Sequence, residues 1–203
     1  MSERPANSPT RALVWLRRDL RWDDNAALFH ALRRFDKVFC VFVFDTDILD
    51  ALSNRYDRRV EFIHASVLQL HEELQALGDR SGVPGAGLIV RHGSAASSIT
   101  ELAQALGVQE VLVNRDYEPQ AVARDKQVKA LLHSAGIGFS DYKDQVLLDR
   151  SEVLTQQGHP YSVFTSYKRA WLQKLDDFQL KSYPVARYAH HLAALPIPTN
   201  IPT

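Results

Sequence analysis

Seven apolar residues stand in a row at 38–44, "VFCVFVF", with no polar side chain among them. A strand with one face in water alternates apolar and polar residues, whereas an unbroken run of this kind belongs to a strand covered on both faces. Helices laid over each face provide that cover, and the arrangement goes with parallel strands. Four shorter runs repeat the theme: "ALVWL" (12–16), "GLIVR" (87–91), "EVLVN" (110–114) and "IGFSD" (137–141). Between them the apolar residues change period. Over 58–78 they fall at Val60, Ile63, Val67, Leu70, Leu74 and Leu77, a single helical stripe, with Gly78 as the expected stop. Ile99, Leu102, Ala103 and Leu106 form another stripe before Gly107, and Val128, Leu131, Leu132 and Ala135 another before Gly136. The first helix carries Leu28, Ala31, Leu32 and Phe35, with Asp23, Asp24 and Asn25 as candidate caps. The expected fold is therefore α/β: a Rossmann-like, doubly wound, parallel five-stranded sheet with helices on both faces.

Open sheets of this class bind ligands beyond the carboxyl ends of their strands, where the strand order switches. The residues just after each strand are the ones to inspect. After the first come Arg17, Arg18, Asp19 and Arg21; after the second, Asp45, Thr46 and Asp47; after the third, His92, Gly93 and Ser94; after the fourth, Asn114, Arg115, Asp116, Tyr117 and Glu118. One edge of the sheet is thus rimmed with charge. Strand ends are polar in any protein, and arginine–aspartate pairs can simply order a loop. Four charged loops converging on one crevice favour a binding site. The pairs of Arg18 and Arg21 with Asp23 and Asp24 read as structural, fixing the loop and the helix start.

Several ligand classes are disfavoured. Lys+Arg 24 balance Asp+Glu 24, so the basic excess of a non-specific nucleic-acid binder is missing. No G-x-G-x-x-G follows the first strand and no G-x-x-x-x-G-K-[ST] occurs. No Cys/His cluster has zinc spacing; His71 reads as surface and the lone Cys40 as core packing. No apolar stretch approaches the ~18 residues of a membrane span. A single cysteine fits an intracellular, cytoplasmic setting.

The stretch "VWLRRDLRWDDNAAL" (14–28) resembles the opening signature of the photolyase/cryptochrome family. The likeness continues through "VFVFD" (41–45), "RRVEFIHASVLQLHEEL" (58–74), "NRDYEP" with "ARD" (114–125) and "GHPYSVFTSYKRAW" (158–171), nearly the whole chain, with the flavour of bacterial DNA photolyases. The resemblance implies an N-terminal α/β domain that harvests light with an antenna pigment. It also implies a larger helical domain that holds FAD, binds damaged DNA and splits pyrimidine dimers. On this reading residues 1–11 are a flexible tail, 12–150 the antenna domain, and 151–203 a helix and proline-rich interdomain connector, with the FAD domain absent. The chain alone is then catalytically inactive, touches DNA only through the missing domain, and is able to pair through the exposed interdomain surface. The connector, without its packing partner, is expected to be partly disordered or to lie on the surface, and "YSVFTSYKRAWLQKL" (161–175) to pack as an amphipathic helix.

By the same resemblance the pigment is lined by Arg17, Asp19, Asp45, Arg59, Asp116 and Glu118, with no catalytic residue and no metal ligand in this part. Arg59 with Asp116 suggests a deazaflavin, ahead of methenyl-folate or a flavin. Arg58 and Arg59 also sit in the first turn of a helix, where the macrodipole disfavours cations. Either Arg59 points into the crevice toward an anionic pigment, or Asp57 or Glu61 neutralises it. Two other readings of the same fold remain: a free-standing nucleotide-binding module, and an interaction domain of cryptochrome type.

Overall fold

The computed structural model describes residues 8–54, 56–149, 151–177, 179–196 and 201. Residues 1–7 of the expected N-terminal tail lie outside them. Five strands form one all-parallel sheet in the order β3-β2-β1-β4-β5: β1 Arg11–Leu16, β2 Lys37–Asp45, β3 Leu88–Gly93, β4 Glu110–Asn114 and β5 Gly138–Tyr142. The α/β, doubly wound expectation holds. The order turns back between β1 and β4, and that is the switch point.

Side-chain alternation splits the apolar runs between two cores. Val38, Cys40, Phe42 and Phe44 of β2, with Ala12, Val14 and Leu16 of β1, face α1 (Ala26–Arg34) and α3 (Arg58–Arg80). Phe39, Val41 and Val43, with Leu13 and Trp15, face the other way, onto α4 (Ala95–Leu106) and α5 (Pro119–Ser134). The seven-residue run at 38–44 is apolar throughout because both of its faces are core. The buried thiol of Cys40 is pushed up to about 12 by burial, which keeps it a neutral packing group.

The helix ends follow from local chemistry. Asn25 caps α1 by accepting from the Leu28 N–H at 3.0 Å. Gly107, at φ 62°, closes α4. Gly78 is not a stop: α3 runs on to Arg80. Its reason for being glycine is contact, since a Cβ there would lie 2.5 Å from the Ala86 Cβ and 2.8 Å from the Val83 carbonyl oxygen. A four-residue helix, α2 (Thr46–Leu49), follows β2, too short to show a period.

Two expectations about the last third are corrected. Helix α6 (Phe164–Lys174) buries no residue, and Phe164 is 75% exposed, so it does not pack as an amphipathic helix. The connector after it does pack. Val185 and Ala189, on a 3-10 helix (Val185–His191), are fully buried, and Leu192 and Ala193 nearly so. The Ala193 N–H donates to the Val38 carbonyl at 2.9 Å, and that of Leu195 to Gly85 at 2.8 Å. Val185, Ala189 and Leu192 fill an open end of the helix layer beside α1 and α3, Ala193 joins the core on the other face, and this burial outweighs the entropy of a proline-rich coil.

Candidate functional site

A cavity of about 770 Å³ opens beyond the carboxyl ends of β1, β2 and β4, at the switch point. One wall is apolar: Phe42, Val43 and Phe44 from β2, Ile48, Leu49 and Leu52 in and after α2, and Val60 and Ile63 from the first two turns of α3. The α3 stripe thus does two jobs. Val67, Leu70, Leu74 and Leu77 are buried against the sheet, while Val60 and Ile63 continue past it to line the cavity. Trp15 and the α5 residues Gln120, Ala121, Arg124 and Gln127 complete the lining, and Arg17, Arg18, Asp45, Asp116 and Glu118 bring the charge.

Of the six residues expected at the site, Arg17, Asp45, Asp116 and Glu118 line this cavity. Arg17 is buried. Its guanidinium lies over the Trp15 ring, 4.9 Å from the centroid, donates to Asp125 at 2.5 Å and also donates to the Asn114 carbonyl. Asp45 is 6% exposed, and its Oδ1 accepts from the N–H groups of Asp47 and Ala95, each at 3.2 Å. Asp116 is buried and accepts from the Glu118 N–H at 3.1 Å. The Glu118 side chain, 67% exposed, stands at the rim and pairs with Arg18 at 2.7 Å.

The other two sit elsewhere. Asp19 is buried beneath the loop. It accepts from the Arg17 N–H at 2.9 Å and from the side-chain amides of Asn25 at 3.1 Å and Asn114 at 2.7 Å. Asn114 in turn accepts from the Ala27 N–H at 2.8 Å. This network ties the ends of β1 and β4 to the start of α1. Arg59 is turned to its neighbour Asp57 at 2.5 Å, with its side chain 77% exposed. The Asp57 side chain accepts from the Arg59 guanidinium and from its N–H, which holds that carboxyl down at about 2. Of the two alternatives for Arg59, neutralisation by Asp57 is the one observed.

Arg18 and Arg21 also depart from expectation. Arg18 pairs with Glu118 and stands 3.6 Å from Asp116; Arg21 pairs with Asp144 at 2.9 Å and donates to the Asp24 carbonyl at 2.8 Å. Their carboxylate partners come from loops about a hundred residues away, so these charges clamp distant segments, and Arg21 also closes the local turn through the Asp24 carbonyl.

Arg124 escaped the reading of the strand ends because it lies on a helix. Its guanidinium also lies over Trp15, 5.0 Å from the centroid, 3.5 Å from Asp45 Oδ2 and 3.8 Å from Asp125 Oδ1. Gln120, Arg124 and Gln127 recur at helical spacing, a signal the sequence does carry. A second cavity, of about 620 Å³, lies on the far side of β4 between α5 and β5. Its arginine, Arg115, is clamped by Asp141 at 3.0 Å and by Asp149. Among the described residues no cluster of His, Cys, Asp and Glu suits a metal ion, and no helix is long and apolar enough to cross a membrane.

Comparison with known proteins follows the same lines. The family model for DNA photolyase matches residues 12–188. The deoxyribodipyrimidine photo-lyase of Vibrio cholerae is 35% identical over 79% of this chain and 33% of its own length. The structure of a bacterial class III photolyase from Agrobacterium tumefaciens superposes with a TM-score of 0.77 at 26% identity, over 98% of this chain and 38% of that one. The archaeal photolyase of Sulfolobus tokodaii, solved with two FAD molecules and interpreted as implying a novel light-harvesting cofactor, gives 0.66 at 28% identity, over 82% and 35%. The chain spans about a third of the length of these relatives.

Proposed function

The chain belongs to the DNA photolyase family, and from that premise we propose that it is an antenna domain, holding a flat light-absorbing heterocycle in the cavity at the switch point. The observation that carries this reading is the cavity itself. Its volume of about 770 Å³ suits a ligand of cofactor size, and its walls are apolar with a few placed charges. The aromatic and aliphatic wall from β2, α2 and α3 excludes water from one side of a ring. Asp45 and Arg124 offer an acceptor and a donor at the floor. Asp116 and Glu118 lie where sugar-like hydroxyls leave the mouth. Arg17 supports the floor through its contact with Trp15.

When bound, the pigment supplies absorption and passes its excitation on. The protein's part is to fix its orientation and keep it dry. The acceptor would be FAD in the helical domain of a full-length photolyase, where pyrimidine dimers are split; this chain alone is expected to split none under blue light. The deazaflavin assignment loses one of its two supports, because Arg59 is paired outside the cavity, while Asp116 remains in place. A neutral ring suits the observed lining as well as an anionic one.

The test is a titration of the purified chain with a deazaflavin, methenyl-folate, FMN and ATP, followed by absorbance, tryptophan emission and melting temperature. A flat heterocycle should bind, quench emission and raise the melting temperature, and ATP should not. A shift with ATP alone would make the domain a nucleotide-binding module instead.

A further inference from the structure

We propose that Arg17 and Arg124 keep Trp15 poor in electrons, so that it does not extinguish the excited state of the ligand beside it. This deepens the antenna reading and rests on it. The two arginines are positioning residues: they act through Trp15 and need no contact with the ligand.

A light-absorbing ring is open to a loss that a dark cofactor is not. Once excited, it draws an electron from any easily oxidised side chain nearby. The side chain is left one electron short and the ligand one electron rich. The electron then returns, both ground states are restored and the excitation ends as heat. No bond changes and no outside reductant is used. Indole, phenol, imidazole and the sulfur side chains donate in this way, while the phenyl rings of Phe42 and Phe44 hold their electrons too tightly. Among the described residues that line the cavity there is no Tyr, His, Cys or Met, and Trp15 is the one Trp. That ring carries two guanidinium groups, Arg17 with its Cζ 4.9 Å from the centroid and Arg124 with its Cζ 5.0 Å away.

A cation over an indole face is attracted to the neutral ring and repelled by a ring that has lost an electron. Both effects make the electron harder to remove, and they are strongest where water is scarce. Trp15 is 2% exposed, and the side chains of Arg17 and Arg124 are 7% and 18% exposed. Asp125 lies 2.5 Å from Arg17 and 3.8 Å from Arg124, and Asp45 lies 3.5 Å from Arg124. These carboxylates offset part of the charge and hold the cations at the ring. Bulk alone does not account for the pair. The wall from β2, α2 and α3 is filled by apolar side chains, and burying charge costs more than burying those. Electron transfer needs proximity and not an exposed surface, so the burial of Trp15 does not by itself protect the ligand.

The experiment measures the fluorescence lifetime of deazariboflavin bound to the purified chain. In the wild type it should stay within about threefold of the free ligand's, since the cations hold the indole electron back. In Arg124→Met, with one cation fewer, it should fall about threefold or more below the wild type, and adding Trp15→Phe should restore it. A second measurement needs no ligand. In a chain with Trp15 as its one tryptophan (Trp22→Phe, Trp171→Phe), flash-generated tris(bipyridine)ruthenium(III) takes an electron from the indole, and the radical's absorbance gives the rate. Arg124→Met should raise that rate about threefold or more. Melting temperatures check that each variant is folded, and the wild-type lifetime stands without any of them. A wild-type lifetime shortened beyond the stated range overturns the inference while leaving the antenna reading in place. So does an unchanged lifetime or an unchanged ruthenium rate in folded Arg124→Met. Failure of the wild type to bind deazariboflavin, methenyl-folate and FMN overturns the antenna reading and the role given to Trp15 with it.

Discussion

The guanidinium of Arg17 is committed before any ligand arrives: Asp125, the Asn114 carbonyl and the Trp15 ring all hold it. Arg59 is its opposite, a surface cation answered by the carboxylate two residues before it. Replacing it tests the difference. Arg59→Gln should change pigment affinity by less than about twofold, as expected of an exposed residue away from the site. A marked, selective loss for an anionic pigment, measured by titration, would put Arg59 back in the pocket. His30 gives the molecule a pH dependence. Its ring stacks on Tyr142 at 4.3 Å, and burial first, then the charges of Arg33 and Arg34, lower its pKa from the ordinary 6.5. The unfolded chain therefore takes up this proton at a higher pH than the folded one. The contribution is fully present above about 6.5 and is lost as pH falls through the folded value below it. In His30→Phe, which keeps the stack, urea midpoints should fall less between pH 7 and 5 than in the wild type. Identical slopes would show that His30 is not the titrating group.

Elements were legible where period and burial coincide. The strands at 38–44 and 110–114 and the stripe from Val67 to Leu77 have a core on the facing side, and their patterns report it. The first half of α5 faces the cavity instead, so it shows Gln120, Arg124 and Gln127 where a core helix would show leucines, and periodicity found only its end near Val128. Four of the six expected site residues line the cavity because strand ends are fixed by topology. Asp19 and Arg59 do not, since which way a loop side chain turns depends on partners distant in sequence or on one local carboxylate. Gly78 shows the same limit: a glycine late in a helix reads as a stop, but here a neighbouring segment needs the space. Gly78→Ala raises helix propensity by about 1 kcal/mol and forces a Cβ against Ala86 and the Val83 carbonyl. Net destabilisation of about 1–3 kcal/mol is expected, partly relieved in the double variant with Ala86→Gly. A gain in melting temperature for Gly78→Ala would show that the contact yields.

For the whole molecule, the C-terminal segment matters more than its proline content suggests. A chain ending at residue 182 loses the packing of Val185, Ala189, Leu192 and Ala193, and should be less stable by about 3 kcal/mol, a drop of roughly 6–12 °C in melting temperature. An unchanged melting temperature would mean that the segment rides on a core complete without it. The order β3-β2-β1-β4-β5 has a further consequence, for how the protein is made. The strand that leaves the ribosome first is the middle one. Its partner β2 follows within about thirty residues, but β4 comes a hundred later, and Val185 and Leu192, which finish the layer over α1 and α3, come later still. The nascent chain therefore carries β1 with its β4-facing edge unpaired until β4 is made, and Leu13 and Trp15 wait for α4 and α5 to cover them. An unpaired edge on the central strand is the kind of surface that makes a folding intermediate prone to aggregate, and the finished sheet, with β1 paired on both sides, conceals it.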